Sequence, residues 1–141
     1  MAFRFLEKIA LADAAFEITG KNVTELFQSG ADALIELTAN PKTVKPKIKK
    51  EIKLENENVE QLFFDFLQEL VFLKDAEGVV FHDAKVIVEK NKVYKLKATV
   101  TADRADPKKQ ELHNDVKAVT MHKFKVEQTK KGWKAFVIAD I

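Results

Sequence analysis

The C-terminal 27 residues constrain the fold more than any other stretch. From Asp115 to Gln128 the chain alternates, with Val116, Ala118, Thr120, Phe124 and Val126 on one side and Lys117, Lys123, Lys125 and Glu127 on the other. A period of two is that of a half-buried strand, and it puts His122 on the core side. Thr129-Lys130-Lys131-Gly132 is a turn segment whose glycine can take a positive φ. Trp133 to Asp140 then alternates again, with Trp133, Ala135, Val137 and Ala139 opposed to Lys134, Phe136, Ile138 and Asp140. A hairpin closing symmetrically on that turn sets Glu127 opposite Lys134 and Asp140 near Met121 and Lys123. The strand stops at Asp140-Ile141, which places a terminal carboxylate beside an aspartate. Two such groups repel unless a cation or a basic partner lies between them.

Two amphipathic helices interrupt the remaining strands. Asn22 with Glu25 forms a capping-box pattern, followed by apolar residues at Val23, Leu26, Phe27, Ala31, Leu34 and Ile35 and a stop at Asn40-Pro41. Asn58 with Gln61 repeats the pattern. Val59, Leu62, Phe63, Phe66, Leu67, Leu70 and Val71 follow with helical period, and Gly78 closes the segment. Phe64 and Phe72 lie off that stripe and predict apolar neighbours on a second side, while Asp65, Gln68 and Glu69 mark a wet face. Strands are expected at Phe3–Glu7, at Ala10–Thr19 ending in Gly20, along Lys42–Lys53, and at Val79–Lys90 and Lys92–Asp103. The lysines of Lys42–Lys53 read as the solvated outer face of an edge strand, or as a basic run for RNA. The stretch 104–114 is the longest loop. The architecture implied is α+β: two helices packed on an antiparallel or mixed sheet of about seven strands, with residues 1–141 as one domain.

Composition narrows the function. A net charge of +2 in 141 residues is a poor basis for nucleic-acid binding, so no stable direct binding to RNA or DNA is expected. The absence of cysteine excludes a disulfide framework, a thiolate metal site and a cysteine nucleophile. No apolar stretch is long enough for a membrane span, and a cytoplasmic protein is expected. The chain carries no glycine-rich phosphate loop, HExxH or GxSxG motif, and its three histidines are scattered. An enzyme is therefore not expected. Asp13, alone among small apolar residues, is open to two readings: a turn residue capping its own backbone, or a ligand.

The stretch Val116-Lys117-Ala118-Val119-Thr120-Met121-His122, with a hairpin ending in Val137-Ile138-Ala139-Asp140-Ile141, resembles the C-terminal signature of the archease family. The resemblance extends over nearly the whole chain. It implies a non-enzymatic cofactor of an RtcB-type tRNA-splicing RNA ligase, one that promotes guanylylation of the ligase and its multiple turnover. Counting back from Gly20 sets Asp13 on the aspartate of the family's His-Thr-Ala-Asp motif, whose histidine and threonine are replaced by Ala10 and Leu11. A second family histidine is replaced by Gln110 in the long loop, and His113 falls three positions late. The resemblance further implies that Asp13, Asp140 and the carboxylate of Ile141 converge as metal ligands. Such oxygen donors suit Ca²⁺, with Mg²⁺ possible. Lys117, which matches the lysine of the Val-Lys-Ala motif, is implied in contact with the ligase or is a plain exposed strand lysine.

Overall fold

The computed structural model describes residues 2–6 and 13–141. Seven strands and two α-helices are present among them: β1 (Ala2–Phe5), β2 (Asp13–Gly20), α1 (Val23–Thr38), β3 (Ile48–Asn56), α2 (Val59–Glu77), β4 (Val79–Lys90), β5 (Tyr94–Arg104), β6 (Ala118–Thr129) and β7 (Gly132–Asp140). The strands form two wholly antiparallel sheets, four-stranded in the order β1-β2-β7-β6 and three-stranded in the order β3-β5-β4. Each helix touches both: α1 lies against β2 and β4, and α2 against β6 and β3. Of the first expected strand, Glu7 lies outside the described residues, as do Ala10 and Leu11 of the second.

Both helices begin where their capping residues stand. Asn22 Oδ1 accepts the Glu25 N–H at 2.9 Å, and Asn58 Oδ1 accepts the Gln61 N–H at 3.1 Å, each satisfying a donor that the first turn leaves without a partner. Gly78 ends α2 in the left-handed region, with φ 62°. The apolar stripes meet in one core around Phe16, Ile18, Leu26, Phe27, Leu34, Phe63, Phe66, Leu70 and Val100. The helices approach closely at Gly30, where a Cβ would stand 2.6 Å from the Phe63 ring. Phe64 packs edge-on against Phe124, as its position off the stripe predicts, but Phe72 is 62% exposed and finds no such neighbour among the described residues.

The expected wet face of α2 is partly occupied. Gln68 Oε1 accepts the Val119 N–H at 2.8 Å and Glu60 Oε2 accepts the Val126 N–H at 2.9 Å, so helix side chains cap donors on the edge strand β6. Asp65 Oδ1 accepts a hydrogen bond from Gln61 one turn earlier on the same helix, at 2.8 Å. The Lys42–Lys53 segment is not one strand. It opens with a 3₁₀ turn at Pro41–Thr43, and pairing starts only at Ile48 on the edge strand β3. There the exposed Lys49 and Lys53 alternate with the exposed Glu51 and Glu55.

The C-terminal hairpin departs from simple alternation. Glu127 faces Lys134 as expected, but Met121 to Phe124 stand opposite Val137 in a wide irregularity, with Lys123 at φ 55°. The extra residues shift the pairing by an odd number, which exchanges the two faces of the strand. Asp140 consequently faces Ala118, not Met121 or Lys123, and Val119 turns inward to lie buried opposite Ala139. His122 is exposed rather than core-facing.

Candidate functional site

β7 is the middle of three strands at its C-terminal end, with β2 on one side and β6 on the other. Ala14, Phe16 and Ile18 of β2 lie opposite Ala139, Val137 and Ala135 of β7, and these residues fill the core. One step further along each strand the pleat turns Asp13 and Asp140 to the other face, directly opposite each other in the register. Ala118 continues the row on β6. Directly opposed side chains in an antiparallel pair have Cβ atoms about 4.5–5.5 Å apart, and like charges so placed destabilise the sheet. Both aspartates are half-buried, and among the described residues neither has a cationic side chain within ion-pair distance. The structure thus sets Asp13 opposite Asp140, and Ile141, the next residue after Asp140, is half-buried against the core.

The donor set accommodates a hard cation in part. Two carboxylates across one strand pair can share an ion whose oxygen ligands stand at about 2.3–2.6 Å. No group of three or more His, Cys, Asp or Glu side chains with that capacity occurs among the described residues. The two aspartates therefore need a main-chain or terminal oxygen, or an outside ligand, to complete a shell. The small side chain of Ala118 leaves the row open on the β6 side.

Lys117 does not share a face with Asp140, because the shifted register puts Ala118 there instead. Its side chain is exposed, and its N–H donates to the Asp140 carbonyl at 2.8 Å, so it is tied to the same strand end through the backbone.

The residues leading to Lys117 are held one after another. His113 and Asn114 donate their N–H groups to the Thr38 and Leu37 carbonyls at the end of α1. Asp115 Oδ1 accepts from Lys74 Nζ at 2.7 Å, and the carbonyl of the fully buried Val116 accepts from the same ammonium at 2.6 Å. Burial works against the charge on Lys74, but the carboxylates of Asp115 and Asp75 outweigh it and raise its pKa. The same ammonium holds the Asp115 carboxyl below its ordinary value. Lys74 has no warning in the sequence beyond standing four residues after Leu70 on the apolar stripe.

Gln110, where the family resemblance leads one to expect a histidine, is buried. It accepts the Asp106 N–H and donates to the Arg104 carbonyl, and so closes the loop on itself. His113 is committed to the end of α1, and His82 Nδ1 lies 2.6 Å from the Val44 carbonyl in the 3₁₀ region. No helix among the described residues is long and apolar enough to cross a membrane.

Two antiparallel sheets sharing two helices define a class of small α+β proteins with solved representatives. The solution structure of protein 1598 of Methanobacterium thermoautotrophicum superposes with a TM-score of 0.80 at 27% identity, covering 99% of this chain and 98% of that one. A crystal structure from Thermotoga maritima, described as an archease and possible chaperone, has the same fold, with a TM-score of 0.65 at 22% identity over 94% and 93% of the two chains. In sequence, residues 3–141 match the Archease protein family (MTH1598/TM1083). Protein archease of Pyrococcus abyssi is 39% identical over 132 residues, 92% of this chain and 93% of its own. That of Archaeoglobus fulgidus is 33% identical over the full length of both. The chain belongs to the archease family.

Proposed function

We propose that this protein is a non-enzymatic accessory factor that activates an RtcB-type tRNA-splicing RNA ligase in the cytoplasm, promoting its guanylylation and its return to further rounds of ligation. The observation that carries the reading is the direct opposition of Asp13 and Asp140 at the end of the central strand. Repulsion between paired carboxylates is relieved by a shared cation. In this reading Asp13, Asp140 and the carboxylate of Ile141 hold Ca²⁺, or Mg²⁺ in its place. The bound ion would supply positive charge and open coordination positions for an outside ligand. Asp13 and Asp140 orient it, the sheet keeps their spacing, and Lys117 presents its ammonium to the ligase from the adjoining segment.

Multiple-turnover RNA ligation with and without this protein tests the proposal. Stimulation by the wild type and a loss of roughly tenfold or more with Asp140→Ala are expected. A ligase that the wild type does not stimulate would defeat the accessory role, and full stimulation by the variant would defeat the assignment of the site.

A further inference from the structure

We infer that Lys74 is a positioning residue for this site: from the last turns of α2 its ammonium fixes Asp115 and Val116, and thereby sets where Lys117 and the Asp140 strand end stand relative to each other. The inference rests on the functional reading above for its consequence, though not for its geometry.

Lys74 is 8% exposed, and Lys is among the residue types least often buried. An ammonium has three donors and no acceptor. Here it donates to Asp115 Oδ1 at 2.7 Å and to the Val116 carbonyl at 2.6 Å, with Asp75 Oδ1 at ion-pair distance, 2.8 Å away. Asp75 is its neighbour on the same helix, so the other two bonds are the ones that reach across 41 and 42 residues of sequence. They fall on consecutive residues, and the next N–H in the chain, that of Lys117, is the one bonded to Asp140. Upstream, His113 and Asn114 are tied to α1. The segment 113–117 therefore runs from the end of one helix, past the end of the other, to the central strand, anchored at every residue.

Stability alone does not call for such a residue. Asp75 and Asp115 are largely exposed, so their pairing with the buried ammonium is screened by solvent and contributes little. An apolar side chain of similar volume often serves as well or better in place of a buried charge. A methionine would fill the same space. What it would not do is hold two successive groups of the opposite segment by direction-specific bonds.

The test uses the full chain with Lys74→Met, which keeps the volume, and Asp115→Asn, which weakens the contact from the other side and leaves the helix intact. Native-state amide exchange is read at Lys117 and at Ala98 and Val100 of the distant sheet. Lys74→Met should accelerate exchange at Lys117 tenfold or more while the distant amides change less than twofold, and Asp115→Asn should do the same more weakly. Uniform acceleration, or none at Lys117 in either variant, overturns the inference.

Affinity for the ligase supplies the second arm through a double-mutant cycle. Lys74→Met should weaken binding in the wild type and have no further effect on Lys117→Ala. Additive losses would mean that Lys74 acts otherwise. A ligase that does not bind even the wild type would remove the activation reading, and the exchange arm would still decide the role of Lys74.

Discussion

His113 uses both ring nitrogens, and both of its partners can only accept: Nδ1 lies 2.7 Å from the Glu36 carbonyl and Nε2 lies 2.9 Å from the Glu111 carboxylate. Only the protonated ring can donate twice. The Glu36 carbonyl at the end of α1, then Glu111, raise the pKa of His113 above its ordinary 6.5, and the protonated ring holds the Glu111 carboxyl below its usual range. Because the folded value lies above the unfolded one, this contribution to stability is complete below pH 6.5 and is lost as pH rises through the raised value. Amide exchange at His113 and Asn114 should therefore speed up, beyond the intrinsic pH dependence, as pH climbs from 6 to 8. His113→Ala should remove that excess.

Such partnerships explain what a single sequence conceals at this scale. Asp13 and Asp140 could be singled out as acidic residues in odd company, and counting from Gly20 aligned one of them with a family motif. Lys74 could not, because its partners are fixed by the path of a loop 41 residues away. Gln110 resembled a lost functional residue, yet it holds its own loop together.

The helices were legible as elements because their signals are local. Capping by Asn22 and Asn58, the apolar periods and the stop at Gly78 need no tertiary information, and all appear where the sequence places them. The hairpin was legible only near its turn. Its wide irregularity answers to long-range demands: Phe124 must reach the Phe63–Phe64 cluster while Val119 fills the core opposite Ala139. A strict alternation cannot satisfy both.

Two substitutions probe the contacts between elements. Gly30→Ala improves intrinsic helix propensity by about 1 kcal/mol, but its Cβ meets the Phe63 ring at 2.6 Å. A net loss of up to about 2 kcal/mol in denaturant unfolding is expected, since overpacking a filled core costs about 1–3 kcal/mol. Gln68→Ala should cost about 1–2 kcal/mol by leaving the Val119 N–H without its partner.

Across the whole molecule, the count and type of elements followed from the sequence, while the division of strands between two sheets did not. Which strands pair is decided by segments far apart in the chain: β2 finds β7, and β3 finds β5, across intervening helices. The meeting of Asp13 with Asp140 is a product of that pairing. Periodicity could place each on a strand but could not bring them together.

A ligand that binds only the folded state shifts the unfolding equilibrium of the entire domain. At a free Ca²⁺ concentration of about 100 times Kd the gain is about 2.7 kcal/mol, or roughly 5–10 °C in Tm for a chain of this size. Scanning calorimetry with and without a chelator should show that shift in the wild type and a much smaller one in Asp140→Ala. No shift in the wild type would remove the cation from the proposal.

The break in the β6–β7 ladder at Met121–Phe124 has a practical corollary. β2 pairs with β7 on both sides of it, from Asp13–Asp140 to Gly20–Trp133, while β6 pairs with β7 at Ala118–Asp140 on one side and up to Thr129–Gly132 on the other. A fluorophore or short peptide spliced between Lys130 and Lys131 would strain only the distal half. The unbroken β2–β7 ladder would leave the acidic pair undisturbed beneath a reporter mounted at the far tip.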